Sequence, residues 1–233
     1  MKRKIKVILV GESQVGKTSL ITQFKDQKFK IGYIATFSND RIYKNITIDN
    51  ETLYLEIWDT IGQEKMRALN KIFMKNTDIA LLIYDVTNQR SFDEIKYWHK
   101  VIEDVNGKDN VVFSLVGNKS DLYEKQVINI NEGKKLGDEL NMGFFETSAK
   151  DFESINKVFI NVCKLFSEKE KKKQKDINLY DSFKNNKINS KENDIIQKEN
   201  NNEKNININN IGINNSIILT TENNKKKKKK FKC

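Results

Sequence analysis

The chain has 233 residues, with 42 basic and 32 acidic side chains and a formal charge of +10. A single His, His99, and two cysteines seventy positions apart, Cys163 and Cys233, leave no clustered ligand set for a Cys/His zinc site and no disulfide framework. No apolar run reaches the roughly 18 residues of a membrane span. The charge is uneven. Residues 168–233 carry 17 Lys and 9 acids, a net +8, of which the final KKKKKKFKC supplies +7. The first 167 residues are close to neutral, which argues against a nucleic-acid-binding face and for a charged tether.

The chain order reads as strand and helix in alternation. Lys4 to Val10 (KIKVILV) is a run rich in β-branched residues, too short for a signal peptide and suited to a buried strand. A helix is expected over 17–25. Strands over 41–48 and 52–58 flank Asp49-Asn50, a hairpin turn pair. A helix is expected over 64–75 and strands over 78–86 and 111–117. Helical spacing recurs over 91–105, 131–140 and 152–166, with a short strand at 143–146. The pattern predicts an α/β fold: a six-stranded, mostly parallel sheet with five helices and one antiparallel hairpin near the start. From 168 to 224 the composition shifts to Asn, Lys and Glu, which cannot order a core of its own. This stretch is expected to be a disordered linker with a reach of roughly 40 Å, followed by the polybasic tail 225–233.

GESQVGKT, directly after the first strand and before a helix, fits the pattern G-x-x-x-x-G-K-[ST] in its required context. Gly11 and Gly16 let the backbone curl so that N–H groups of Glu12, Ser13, Gln14, Val15, Gly16, Lys17, Thr18 and Ser19 face inward, where the positive helix end suits phosphate oxygens. Lys17 adds a mobile charge, and the Thr18 hydroxyl suits Mg²⁺. NKSD follows the strand at 111–117. A carboxylate at Asp121 accepts the N1–H and exocyclic amine of guanine, and adenine has neither donor there. Asn118 and Lys119 would hold that loop and pack over the base. In ETSAK, the backbone of Ser148, Ala149 and Lys150 can reach the guanine carbonyl. WDTIGQE follows the third strand. There Asp59 suits Mg²⁺ through water, Gly62 a γ-phosphate, and Gln63 the attacking water.

GESQVGKT, WDTIGQE, VGNKSDL and ETSAK, in this order and spacing, resemble the Ras superfamily of small GTPases over about residues 4–167. YDVTNQRSFDEIKYWHKVI is most similar to the Rab family. A Rho-type insert, an Arf-type leading helix and a Ran-type acidic tail are absent. The resemblance implies a P-loop NTPase domain over 1–167 that binds GTP and GDP with Mg²⁺, and slow hydrolysis without a GAP. It adds Thr36, with Thr18 and Asp59, as a metal-side residue, Phe29 against the base and Tyr33 near the phosphates. It also implies exchange factors, GAPs, effectors and an escort or GDI-type partner. The expected setting is the cytoplasmic face of intracellular membranes, cycling with the cytosol in vesicle trafficking. A terminal Cys233 beside a Lys run fits a prenyl anchor on an anionic surface. The switches depart from the family pattern. FSNDR stands where Rab proteins carry IGVDF, Ser38 replaces Gly, and Ile61 replaces Ala. A non-cycling GTP/GDP-binding module is therefore the alternative reading.

Overall fold

The structure, a computed structural model, describes residues 3–29, 41–59 and 72–180. Tyr33, Thr36, Ser38, Ile61, Gly62, Gln63 and Cys233 lie outside the described residues, as does most of the helix expected over 64–75.

Six strands form one sheet in the order β2-β3-β1-β4-β5-β6. They are β1 (Lys4–Val10), β2 (Arg41–Ile48), β3 (Glu51–Asp59), β4 (Ile79–Asp85), β5 (Val112–Asn118) and β6 (Gly143–Glu146). All pairs are parallel except β2 with β3. Asp49 (φ 48°) and Asn50 (φ 66°) make the β2–β3 turn, the left-handed pair that a two-residue hairpin of this kind demands. β4 is buried at every position, as a central strand covered on both faces must be. The edge strand β2 alternates exposed and covered residues instead.

Besides the helical residues 72–73, the described residues hold α1 (Lys17–Asp26), α2 (Gln89–Asp93), α3 (Ile95–Asn106), α4 (Ile130–Glu139) and α5, which starts at residue 152. On one face of the sheet α1 and α5 bury Leu20, Phe24, Ile155, Phe159 and Phe166 against Val7, Leu9, Ile57, Leu81 and Ile83. The Phe24 and Phe159 rings stack at 3.8 Å. On the other face α3 and α4 bury Trp98, Ile102 and Leu136 against Ile8, Leu82, Tyr84 and Leu115. Each face removes a broad apolar surface from water, at roughly 25 cal/mol per Å².

Two expectations need correction. The helix read over 91–105 is two. Asn88 caps the first through its side chain, which accepts the Ser91 N–H at 3.3 Å. The Ser91 hydroxyl donates to Asn88 O at 2.7 Å and accepts the Asp85 N–H at 3.0 Å, so the short α2 is tied to the end of β4. The last helix also passes residue 167, and residues 152–180 are helical. The Lys- and Glu-rich composition that argued against a core is also good helix composition. Tertiary contacts hold the first part of the extension. Lys169 Nζ donates to Val111 O at 3.0 Å, and Glu170 pairs with Arg3 at 2.9 Å. The described residues up to 171 belong to one compact unit, and residues 172–180 are helical.

Candidate nucleotide site

The parallel strands all point their C-terminal ends to one edge of the sheet, where open α/β sheets take their ligands. Four of the motifs converge there. The loop 11–16 follows β1, Asp59 ends β3, Asn118 ends β5, and residues 147–150 follow β6.

The loop after β1 is built on close approach. A Cβ at Gly16, where φ is 98°, would lie 2.3 Å from Asn118 Nδ2, and one at Gly11 would lie 2.1 Å from Ile83 O. Only glycine fits either place. The first turn of α1 carries no acidic side chain and no side-chain cap, so its positive end is left for an anion. Lys17, only 5 % exposed, donates from Nζ to Gly11 O and Glu12 O, both at 2.8 Å. Burial lowers its pKa to about 8, against the opposing pull of Asp59 and Glu12. A buried ammonium that donates to two carbonyls in this way gains from a phosphate counter-charge.

The Thr18 hydroxyl donates to Asp59 Oδ2 at 2.7 Å. Two hard oxygen donors from separate elements thus sit side by side, and this donor set fits Mg²⁺, which takes a few protein oxygens and completes its shell with water and phosphate.

The base end is assembled from three segments. Asn118 Nδ2 donates to Val15 O at 2.7 Å, which ties this end to the phosphate loop. Asn118 Oδ1 is buried without a hydrogen-bond donor, an acceptor that a purine edge can serve. Asp121 Oδ1 accepts from Ser148 Oγ at 2.6 Å, and Oδ2 pairs with Lys150 Nζ at 2.6 Å. Burial raises the Asp121 pKa, but the Lys150 and Ser148 hydrogen bonds outweigh it and the net shift is downward. Its carboxylate is thus held ionised, the form that accepts two donors from guanine. The backbone pairs the two loops directly: Thr147 N–H donates to Gly117 O at 2.8 Å and Ser120 N–H to Thr147 O at 3.0 Å. Lys150 Nζ lies 5.9 Å from the centre of the Phe29 ring, so Phe29, 39 % exposed, borders the same end. Ala149 is buried.

Sequence profiles and relatives agree with this geometry. The profile of the Ras family matches residues 6–168. This chain belongs to the Ras family. It is 36 % identical over 165 residues to the Ras-related protein SEC4 of Saccharomyces cerevisiae, covering 71 % of this chain and 76 % of that one. It is 40 % identical over 161 residues to the GTP-binding protein yptV2 of Volvox carteri, covering 69 % and 74 %. The chain is a small GTPase, most similar to the Rab kind, and its ligands are guanine nucleotides.

One residue of this site was not singled out from the sequence. Asp85, the last residue of β4, pairs with Lys119 Nζ at 2.6 Å. The only signal was an acid ending a wholly apolar strand run, inside a stretch whose Rab likeness had already accounted for it.

Proposed function

We propose that this Rab-like GTPase is a membrane-associated switch in vesicle traffic, with Lys17 and Asp121 at opposite ends of one nucleotide. What supports the reading is the joining of a buried lysine in the phosphate loop to an ionised Asp121 through the Asn118–Val15 bond. The backbone N–H groups of residues 12–19 and the Lys17 ammonium bind the phosphates. Asn118 and Asp121 bind the base, Ser148 and Lys150 orient Asp121, and Phe29 covers one side. Thr18 and Asp59, with Thr36, hold Mg²⁺, which when bound neutralises charge on the phosphate oxygens. Gln63 orients the water that attacks the γ-phosphate in line, and GDP leaves with the β-oxygen carrying the electron pair. Turnover by this chain alone is slow. A GAP-supplied Arg gives roughly 10³–10⁵-fold in this chemistry. Loss of the γ-phosphate releases Thr36 and Gly62 and loosens both switch segments.

An exchange factor, a GAP and effectors act on this cycle. The polybasic tail 225–233 and a lipid on Cys233 hold the chain on an anionic leaflet, with an escort or GDI-type protein covering the lipid in the cytosol. Single-turnover GTP hydrolysis tests the enzyme half. The wild-type chain is expected to turn over once, slowly, and Gln63→Leu to slow it further; equal rates would remove Gln63 from the mechanism. Sedimentation with anionic liposomes, with and without residues 225–233, tests the anchor.

A further inference from the structure

Asp85 closes β4 and stands opposite Asn118 in the β4–β5 register. It is 6 % exposed. Its carboxylate is fully engaged. Oδ1 accepts the Thr87 N–H at 2.9 Å and the Thr87 hydroxyl at 2.7 Å, and Oδ2 pairs with Lys119 Nζ at 2.6 Å. The backbone is tied as firmly. The Asp85 N–H donates to Ser91 Oγ at 3.0 Å, and the next residue, Val86, donates its N–H to Asn118 O at 3.0 Å. Asp85 is therefore a fixed point of the fold.

Lys119 is the opposite kind of residue. Its backbone takes the left-handed conformation (φ 66°, ψ 33°), and its side chain is a third exposed. A lysine stem free at its far end samples many rotamers and loses that freedom when its ammonium is held. Here both ends are fixed, the Cα by the turn and the ammonium by Asp85. Asp85 and Lys119 also border, with Ser13 and Gln14 of the phosphate loop, a cavity of about 250 Å³. The pair thus stands where the two ends of the nucleotide site meet.

We propose that Asp85 is a positioning residue for guanine-nucleotide binding: it holds the Lys119 side chain in the single placement the base requires. The proposal rests on the guanine reading of NKSD given above and adds a group outside that motif. Preorganisation of this kind lowers what is lost on binding, so removing it shows mainly in the rate at which nucleotide leaves. Asn at position 85 keeps an acceptor for Thr87 but turns the Lys119 side into an amide, leaving a part-buried ammonium without its counter-charge.

The test is dissociation of fluorescent GDP from the full chain with Mg²⁺. Asp85→Asn is expected to release GDP about tenfold faster. In a Lys119→Met background the same substitution is expected to add less than twofold, the signature of a residue acting through Lys119. Thr87→Val removes the turn's hydroxyl donor without touching Lys119, and is expected to leave the GDP rate unchanged. Asp85→Ser, which also lacks the carboxylate, replaces the Asn variant if thermal unfolding shows that one misfolded. The proposal is overturned if the Asp85 variant releases GDP within twofold of wild type, if its effect is undiminished beside Lys119→Met, or if Thr87→Val reproduces it. Failure of the wild-type chain to retain GDP at all would sink the guanine reading itself.

Discussion

The two ends of the site are made in different ways. In the proposed site the phosphate end is one contiguous stretch, residues 11–19, with backbone N–H groups and the buried Lys17 as its proposed recognition groups. The base end is a set of side chains from three segments, joined by Ser148–Asp121, Lys150–Asp121, Lys119–Asp85 and Asn118–Val15 contacts. Backbone recognition is blind to the base, since every nucleotide carries the same phosphates. Side-chain recognition is blind to the number of phosphates. Affinity and specificity are therefore separable in this molecule, and substitutions at the two ends should fail in different ways.

The largest effect belongs to the phosphate end. Lys17→Met removes a charge that no backbone group replaces, and is expected to weaken GTP and ITP alike by about hundredfold, by the worth of charge-assisted hydrogen bonds. The ratio of the two affinities, measured by competition, should not move. A changed ratio would mean that Lys17 reaches the base and that the ends are not separate. Asp121→Asn should act in the reverse sense. It turns an acceptor of two donors into a mixed group, and a guanine affinity about thirtyfold lower is expected, with the GTP-to-GDP ratio unchanged in the same titrations.

Smaller changes sharpen the comparison. Ser148→Ala takes one of the two partners from Asp121 and is expected to lower GDP affinity about fivefold. The other end responds to pH. Burial lowers the Lys17 pKa to about 8, and a bound phosphate raises it, so binding selects the protonated form. The proton is present at pH 7 and is progressively lost above 8, so affinity falls as pH rises. Between pH 7 and 8.5, where the guanine base stays neutral, GDP binding by calorimetry should weaken about fourfold. The linked effect on folding has the same origin. The folded pKa lies below the unfolded one, so the unfolded chain holds more protons between about 8 and 10.5, and Lys17 contributes stability that rises with pH across that window.

The same contrast explains what could be read from the sequence. The phosphate loop was legible because its chemistry is local: glycines, lysine and threonine at fixed spacing after an apolar strand. Strand positions were legible because a buried parallel strand must be apolar throughout, as β4 is. The hairpin was legible in Asp49-Asn50, two residues that accept positive φ. Asn118 and Asp121 could be named, but not their partners, because Ser148 and Lys150 meet Asp121 only when β5 and β6 pair. Asp85 was missed for the same reason: its contact with Lys119 spans two strands and leaves no spacing rule. The split of α2 from α3 was missed because the apolar period continues through Glu94, while the break is made by Ser91 bonding back to β4. Helix α5 outruns its apolar stripe because Lys169 and Glu170 reach Val111 and Arg3, contacts that composition does not reveal.

The most direct test of separate ends is displacement of fluorescent GDP from the full-length chain by GTP and by ATP, with Mg²⁺, for the wild-type protein and for Asp121→Asn. Separate ends predict that GTP displaces from the wild type and equimolar ATP does not, while the Asn variant loses most of that discrimination. Equal displacement by ATP from the wild type, or full discrimination kept by the variant, would contradict the assignment of base choice to Asp121.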